Sequence, residues 1–214
     1  MARKKETGTI RRQQIIEAAR KLIASRGSEY VTIKGIAGEV GISEAAIYRH
    51  FNHKRDVFCL LIDSIGDKLV TEVRETENQQ EVNKKLYFVL QKHISEIEQQ
   101  RGIAFQVIVE VISLGDKGLN SKTFDILHKY INELKILLDD GVEKREFRQD
   151  LDTQSAATLL FSMIQGLVNL WYLSEYDFNL KSNYETLWKT FCKVISPNGD
   201  DTFIISPLVE FSPM

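Results

Sequence analysis

Apolar residues recur every three to four positions along most of this 214-residue chain, the spacing that lines one face of an α-helix. Ile15, Ala19, Leu22 and Ile23 mark a first helix. Ile36, Ala37, Val40 and Ile42, then Ile47 and Phe51, mark two short ones, with Thr32 and Ser43 placed to cap them. Phe58, Leu61, Ile62, Ile65, Leu69 and Val73 predict a long fourth helix opened by Asn52. Three further stripes follow: Val82, Leu86, Val89, Leu90, His93 and Ile97; Phe124, Leu127, Ile131, Leu134 and Leu138; Tyr184, Leu187, Trp188, Phe191, Val194 and Ile195. Ile103 to Ile112 is β-branched and apolar nearly all round. A strand there has no partner to pair with, so it reads as a short buried helix. Ser113–Asn120, with Gly115 and Gly118, reads as a loop. All three prolines lie in the last 18 residues, so nothing before Pro197 forces a helix to break. The tail from Ser196 reads as irregular, with a short extended piece at Phe203–Ile205. The expected fold class is all-α.

Thr153 to Ser174 needs separate treatment. It carries no charged residue and is long enough, on count alone, to cross a bilayer. Gln154, Thr158, Ser162, Gln165 and Asn169 are spread along it, and unpaired amides are costly in hydrocarbon. It therefore reads as a helix buried between protein partners, with no membrane partner expected.

Thr32 to Phe51, TIKGIAGEVGISEAAIYRHF, is the most informative stretch. It reads as two short helices joined at Gly41, where a positive φ would burden any residue carrying a Cβ. Such a pair forms a helix-turn-helix, which lays its second helix in the major groove. Charge agrees. The net charge of −2 hides a split: up to Leu60 there are 12 basic and 6 acidic residues, leaving 16 of the 28 basic and 24 of the 30 acidic residues beyond it. A basic head on an acidic body suits a head that meets phosphates. Arg3, Lys4 and Lys5 sit in an N-terminal arm, and two readings stand: contact with phosphates or the minor groove, or a solvated tail. No apolar run follows them, so no signal peptide is read. Cys59 and Cys192 are isolated and fit buried free thiols in a reducing cytoplasm.

Thr9 to about Leu61 resembles the DNA-binding domain of the TetR family of bacterial transcription regulators. The matching residues are Ile15, Ile16, Ala18, Ala19, Gly27, Thr32, Ile36, Ala37, Gly41, Ser43, the run Ile47–Phe51, and Lys54. A softer match covers Gly141 to Trp171 through Phe147–Arg148 and Asp150–Leu151–Asp152. The resemblance implies two domains. Residues 1–53 form a three-helix helix-turn-helix DNA-binding domain with its arm at 1–8, and residues 54–214 form a helical ligand-binding and dimerisation domain.

With the helix from Ser43 in the groove, its outer side offers Ser43, Glu44, Ala45, Ala46, Tyr48, Arg49 and His50. Ala45 and Ala46 let the backbone approach the bases and present methyls to thymine. Glu44 has two readings: an acceptor for a cytosine amino group, or an anion at the positive end of its helix that faces away from bases. The family match implies that Thr32, Lys34, Tyr48, His50 and Lys54 contact phosphate or base, and that Phe51 is core. His50 and His53 are three apart but lack further ligands, so no metal site is expected.

The helix from Thr153 has apolar groups on more than one face, so a partner must cover one of them. With the Tyr184–Ile195 helix it resembles the family's two-helix dimerisation unit, which builds a four-helix bundle about a two-fold axis. Leu160, Ile164, Leu167, Trp171, Leu187, Trp188 and Phe191 are its candidate interface residues. The resemblance also implies a pocket, with Phe88, Phe105, Gln106, Glu110, His128, Phe161, Gln165, Asn169 and Tyr172 as candidates for an apolar or aromatic effector. The expected function is a homodimeric repressor on a pseudo-palindromic duplex operator, released by a small molecule. The alternative is a DNA-bound scaffold that engages a protein partner. Nothing reads as a nucleophile–base pair or a phosphate loop, so neither an enzyme nor a cofactor is expected.

Overall fold

The structure, a computed structural model, describes residues 8–51, 53–74 and 81–197. Among these residues the regular structure is entirely helical: α1 (Gly8–Arg26), a 3₁₀ turn (Ser28–Tyr30), α2 (Ile33–Val40), α3 (Glu44–Tyr48), α4 (Lys54–Arg74), α5 (Val82–Gln99), α6 (Ile103–Leu114), α7 (Lys117–Glu143), α8 (Thr153–Leu173) and α9 (Leu180–Ile195). The arm at 1–8 up to its last residue, the opening role of Asn52 and the extended piece at 203–205 lie outside the described residues.

Two compact units result. One runs to Lys68 and adds Ile97–His128; the other takes Leu69–Glu96 and the chain from Lys129. These units do not follow the division at 53/54, because α6 and the start of α7 group with the helix-turn-helix. The core of the first unit gathers Ile15, Ala19, Leu22, Val31, Ile36, Ile47, Val57, Phe58, Leu61, Val107, Val111 and Leu119, all under 4% exposed. The apolar stripe of each helix points into that cluster, as the 3.6-residue period requires. In the second unit Leu86, Val89, Leu134, Leu138, Phe147, Leu160, Trp188 and Phe191 form the core.

The expected loop at 113–120 is not a loop. Only Gly115 and Asp116 separate α6 from α7. Gly115 ends α6 in the left-handed region, and the Asp116 carboxylate accepts the Leu119 N–H at 2.8 Å. That cap lets α7 begin at once, and Gly118 is carried in its first turn. Hydrogen bonding from Leu119 and then from Arg55 holds the Asp116 carboxyl below its usual range, against the opposing effect of burial.

The Gly141–Asp152 segment is held by contacts among its own residues. A Cβ at Gly141 would overlap the Phe147 ring, which is 1% exposed. Arg148 then forks onto Asp150 with two bonds of 2.7 Å, and Asp152 caps α8 by accepting the Ser155 N–H at 3.1 Å. The inner face of α8, including Ala157, Leu160, Ile164 and Val168, is buried. Ser155, Thr158, Ser162 and Asn169 are exposed, which suits a helix packed on its own unit. By length and composition alone α8 would pass as a membrane span.

Candidate nucleic-acid interface

The geometry of the head follows from three local devices. Thr32 stands in extended conformation and its Oγ1 accepts the Gly35 N–H at 2.9 Å, which starts α2. Gly41 ends α2 at φ 72° while the Ile42 N–H returns to the Ala37 carbonyl at 3.0 Å. A Cβ on Gly41 would meet nothing within 4 Å, so backbone conformation and not space calls for glycine there. Ser43 is again extended and its Oγ accepts the Ala46 N–H at 3.3 Å, which starts α3.

From that start α3 turns one edge inward and one outward. Ile47 is fully buried and Phe51 is 4% exposed, so both are core. Ser43, Glu44, Ala45, Tyr48 and Arg49 are exposed, and Ala46 and His50 are half-buried. Tyr48 is 51% exposed, an aromatic ring standing in solvent. Thr32 and Lys34, at the start of α2, are exposed as well. Gly8, the first described residue, lies beside His50, with an added Cβ 4.0 Å from His50 Cε1.

Lys54 is differently placed. Its Nζ lies 2.8 Å from Glu110 Oε1 and 5.3 Å from the centre of the Phe58 ring. The next residue, Arg55, donates through Nε to Asp116 Oδ2 at 3.0 Å. No spacing in the sequence signals these pairs, which join residues 56 and 61 positions apart.

The nine pocket candidates divide between the units. Phe105, Gln106, Glu110 and His128 belong to the first; Phe88, Phe161, Gln165, Asn169 and Tyr172 belong to the second. Phe105 is buried at 7% exposure, Gln106 donates to the Arg101 carbonyl at 3.2 Å, and Glu110 serves Lys54. His128 is exposed and stacks on Phe124, itself 67% exposed. Phe88, Asn169 and Tyr172 are also exposed. Phe161 meets Tyr130 edge to face at 6.3 Å, beside a buried bond of 2.9 Å between Tyr130 Oη and His93 Nδ1. Burial holds the Tyr130 phenol well above the usual range. Gln165 is half-buried.

The interface candidates lie on the inner side of the single chain. Leu160, Ile164, Leu167, Trp171, Trp188 and Phe191 are at most 8% exposed in the single chain, and Leu187 is half-buried. They form the inner stripe, whereas the outer face carries Leu159, Leu170 and Leu173 on α8 and Val194 on α9, at 42%, 62%, 76% and 39% exposure. An apolar pattern finds the buried stripe and cannot say which of two apolar faces looks outward.

A capped helix, a left-handed glycine turn and a second helix with one bare edge define a helix-turn-helix DNA-binding protein. Comparison with known proteins agrees. Residues 15–59 match the family described as bacterial regulatory proteins, tetR family, and residues 63–193 match the C-terminal region of YsiA-like proteins. The chain belongs to the TetR family and is a DNA-binding transcription regulator. It is 26% identical to the fatty acid metabolism regulator protein of Bacillus subtilis over 78% of this chain and 86% of that one. It is also 26% identical to the nucleoid occlusion factor SlmA of Photobacterium profundum, over 88% and 96%. The crystal structure of the transcriptional regulator FadR from Bacillus subtilis in complex with stearoyl-CoA superposes with a TM-score of 0.73 at 25% identity, covering 86% of this chain and 98% of that one.

Proposed function

We propose that this regulator is a cytoplasmic homodimeric repressor whose two α3 helices read the half-sites of a pseudo-palindromic operator. The carrying observation is the bare outer edge of α3, held out by the Thr32 and Ser43 caps and the Gly41 turn. Ser43, Glu44, Ala45, Ala46 and Arg49 face base edges; Thr32, Lys34, Tyr48, His50 and Lys54 meet the backbone or its flanking bases. The exposed leucines of α8, with Val194 of α9, form the two-fold seam. Exposed Leu side chains in a row are what a self-complementary interface covers.

The effector is a long-chain acyl compound that binds the body and weakens DNA binding. The likeness to a regulator solved with stearoyl-CoA supports this class of ligand. An acyl ligand favours release only through its higher affinity for the conformation that does not fit DNA. A titration decides it: stearoyl-CoA added to a complex with the promoter duplex of the chain's own gene is expected to lower DNA affinity at least tenfold. Binding of the acyl compound without change in DNA affinity would overturn the effector reading.

A second reading has its own observation. Val109, Ile112 and Leu114 on α6 and Phe124 on α7 are exposed at 57%, 66%, 42% and 67%. A DNA-bound scaffold would use such side chains to hold a protein partner, and the likeness to a relative named as a nucleoid occlusion factor rather than as a transcription regulator supports it. Under this reading stearoyl-CoA leaves the DNA complex intact.

A further inference from the structure

We propose that Glu110 is a built-in competitor for DNA phosphate that restrains Lys54. The inference rests on the reading of Lys54 as a backbone contact, and adds what holds that lysine back. The pair is close, at 2.8 Å, with the two side chains 31% and 17% exposed. Partial burial strengthens such a charge-assisted bond over one in open solvent. The buried Phe58 ring, its centre 5.3 Å from the ammonium, also favours the cation where it is.

An ammonium has three donors and one charge. A phosphate arriving at the start of α4 shares that charge with the carboxylate already beside it. That sharing lowers affinity. Arg55 is drawn aside in the same way by Asp116 at 3.0 Å. The two consecutive cations after the helix-turn-helix are thus both engaged by carboxylates from the α6–α7 corner. That corner sets how much positive charge the head offers to DNA.

The test uses the full chain and a fluorescently labelled duplex of random sequence, because phosphate contacts are independent of sequence. Glu110→Gln keeps the size of the side chain and removes its charge. It is expected to tighten binding roughly two- to fivefold, the range of a partly exposed ion pair. The plot of log affinity against log salt is expected to steepen by about 0.9, one more phosphate neutralised. In a Lys54→Ala background the same substitution is expected to change neither quantity. Unchanged affinity for Glu110→Gln overturns the proposal, and so does a gain that persists without Lys54. If Lys54→Ala alone leaves binding unchanged, the reading of Lys54 as a backbone contact fails and the inference falls with it. Circular dichroism at the assay temperature accompanies each variant. Glu110→Leu replaces Glu110→Gln, with the same expectations, should the latter not fold.

Discussion

Two helices of this chain bury one edge and present the other to solvent, and their outer edges differ. On α3 the outward side chains are Ser43, Glu44, Ala45, Tyr48 and Arg49, which water tolerates and base edges and phosphates can use. On α8 they include Leu159, Leu170 and Leu173, with Ser162 and Gly166 between. Apolar area left in water forgoes about 25 cal/mol per Å². The inner edges of both helices follow one rule, the 3.6-residue apolar stripe. Only the outer edge distinguishes a surface for nucleic acid from a surface for protein.

The comparison breaks most severely if an inner edge is charged. Ile47→Asp puts a carboxylate at a fully buried site. It is expected to cost several kcal/mol, unfold the head and abolish duplex binding while sedimentation still shows self-association. Retained DNA affinity would mean that α3 is not held as described.

Inner and outer edges of α8 separate next. Leu160→Ala, at 0% exposure, is expected to lower unfolding free energy by about 2–5 kcal/mol in a denaturant titration. Leu170→Asp, at 62% exposure, is expected to leave the single chain within about 0.5 kcal/mol. It should nevertheless shift sedimentation from dimer toward monomer at micromolar concentration. If Leu170→Asp sediments as the parent does, the seam lies elsewhere.

Truncating the outer edge of α3 should act on DNA alone. Tyr48→Ala is expected to weaken duplex binding by about tenfold or less, within the worth of one good contact, and to leave the melting temperature nearly unchanged. The turn is a lever on stability of similar size. Gly41→Ala is expected to cost about 1–2 kcal/mol, since φ 72° is strained for any residue with a Cβ although space is open.

Acid offers the mildest probe. Hydrogen bonds from the Ser155 hydroxyl and then the Ser155 N–H hold the Asp152 carboxyl below its usual range. A depressed folded value means that its contribution is present above the ordinary aspartate range and is lost as pH falls through the folded value. Asp152→Asn is therefore expected to flatten part of the fall in melting temperature as pH drops through and below the ordinary aspartate range. Parallel curves for the two proteins would show the cap to be energetically idle.

Much of the head is legible in the residues because its determinants are local. Thr32, Gly41 and Ser43 each act on backbone within five positions, so a short stretch of sequence contains cause and effect together. The body is harder to read. Gly115 and Gly118 look like a loop, yet the Asp116 cap closes the gap to two residues and α7 runs for 27. The nine residues that the family resemblance implies for a pocket lie in both units, since periodicity orders residues along a helix and says nothing about which helices adjoin.

The amino-acid order by itself determined that this chain is helical, that a groove-fitting element occupies Thr32–Phe51, and that α8 is apolar beyond the needs of one buried face. Short-range hydrogen bonds and the helical period settle these matters without distant partners. The tertiary structure alone decided that Leu160 and Trp188 face inward while Leu170 and Leu173 face out, and that Glu110 answers Lys54. Those outcomes depend on which elements meet across gaps of tens of residues, and the free energy of such meetings resides in packing and charge brought together only by the folded chain.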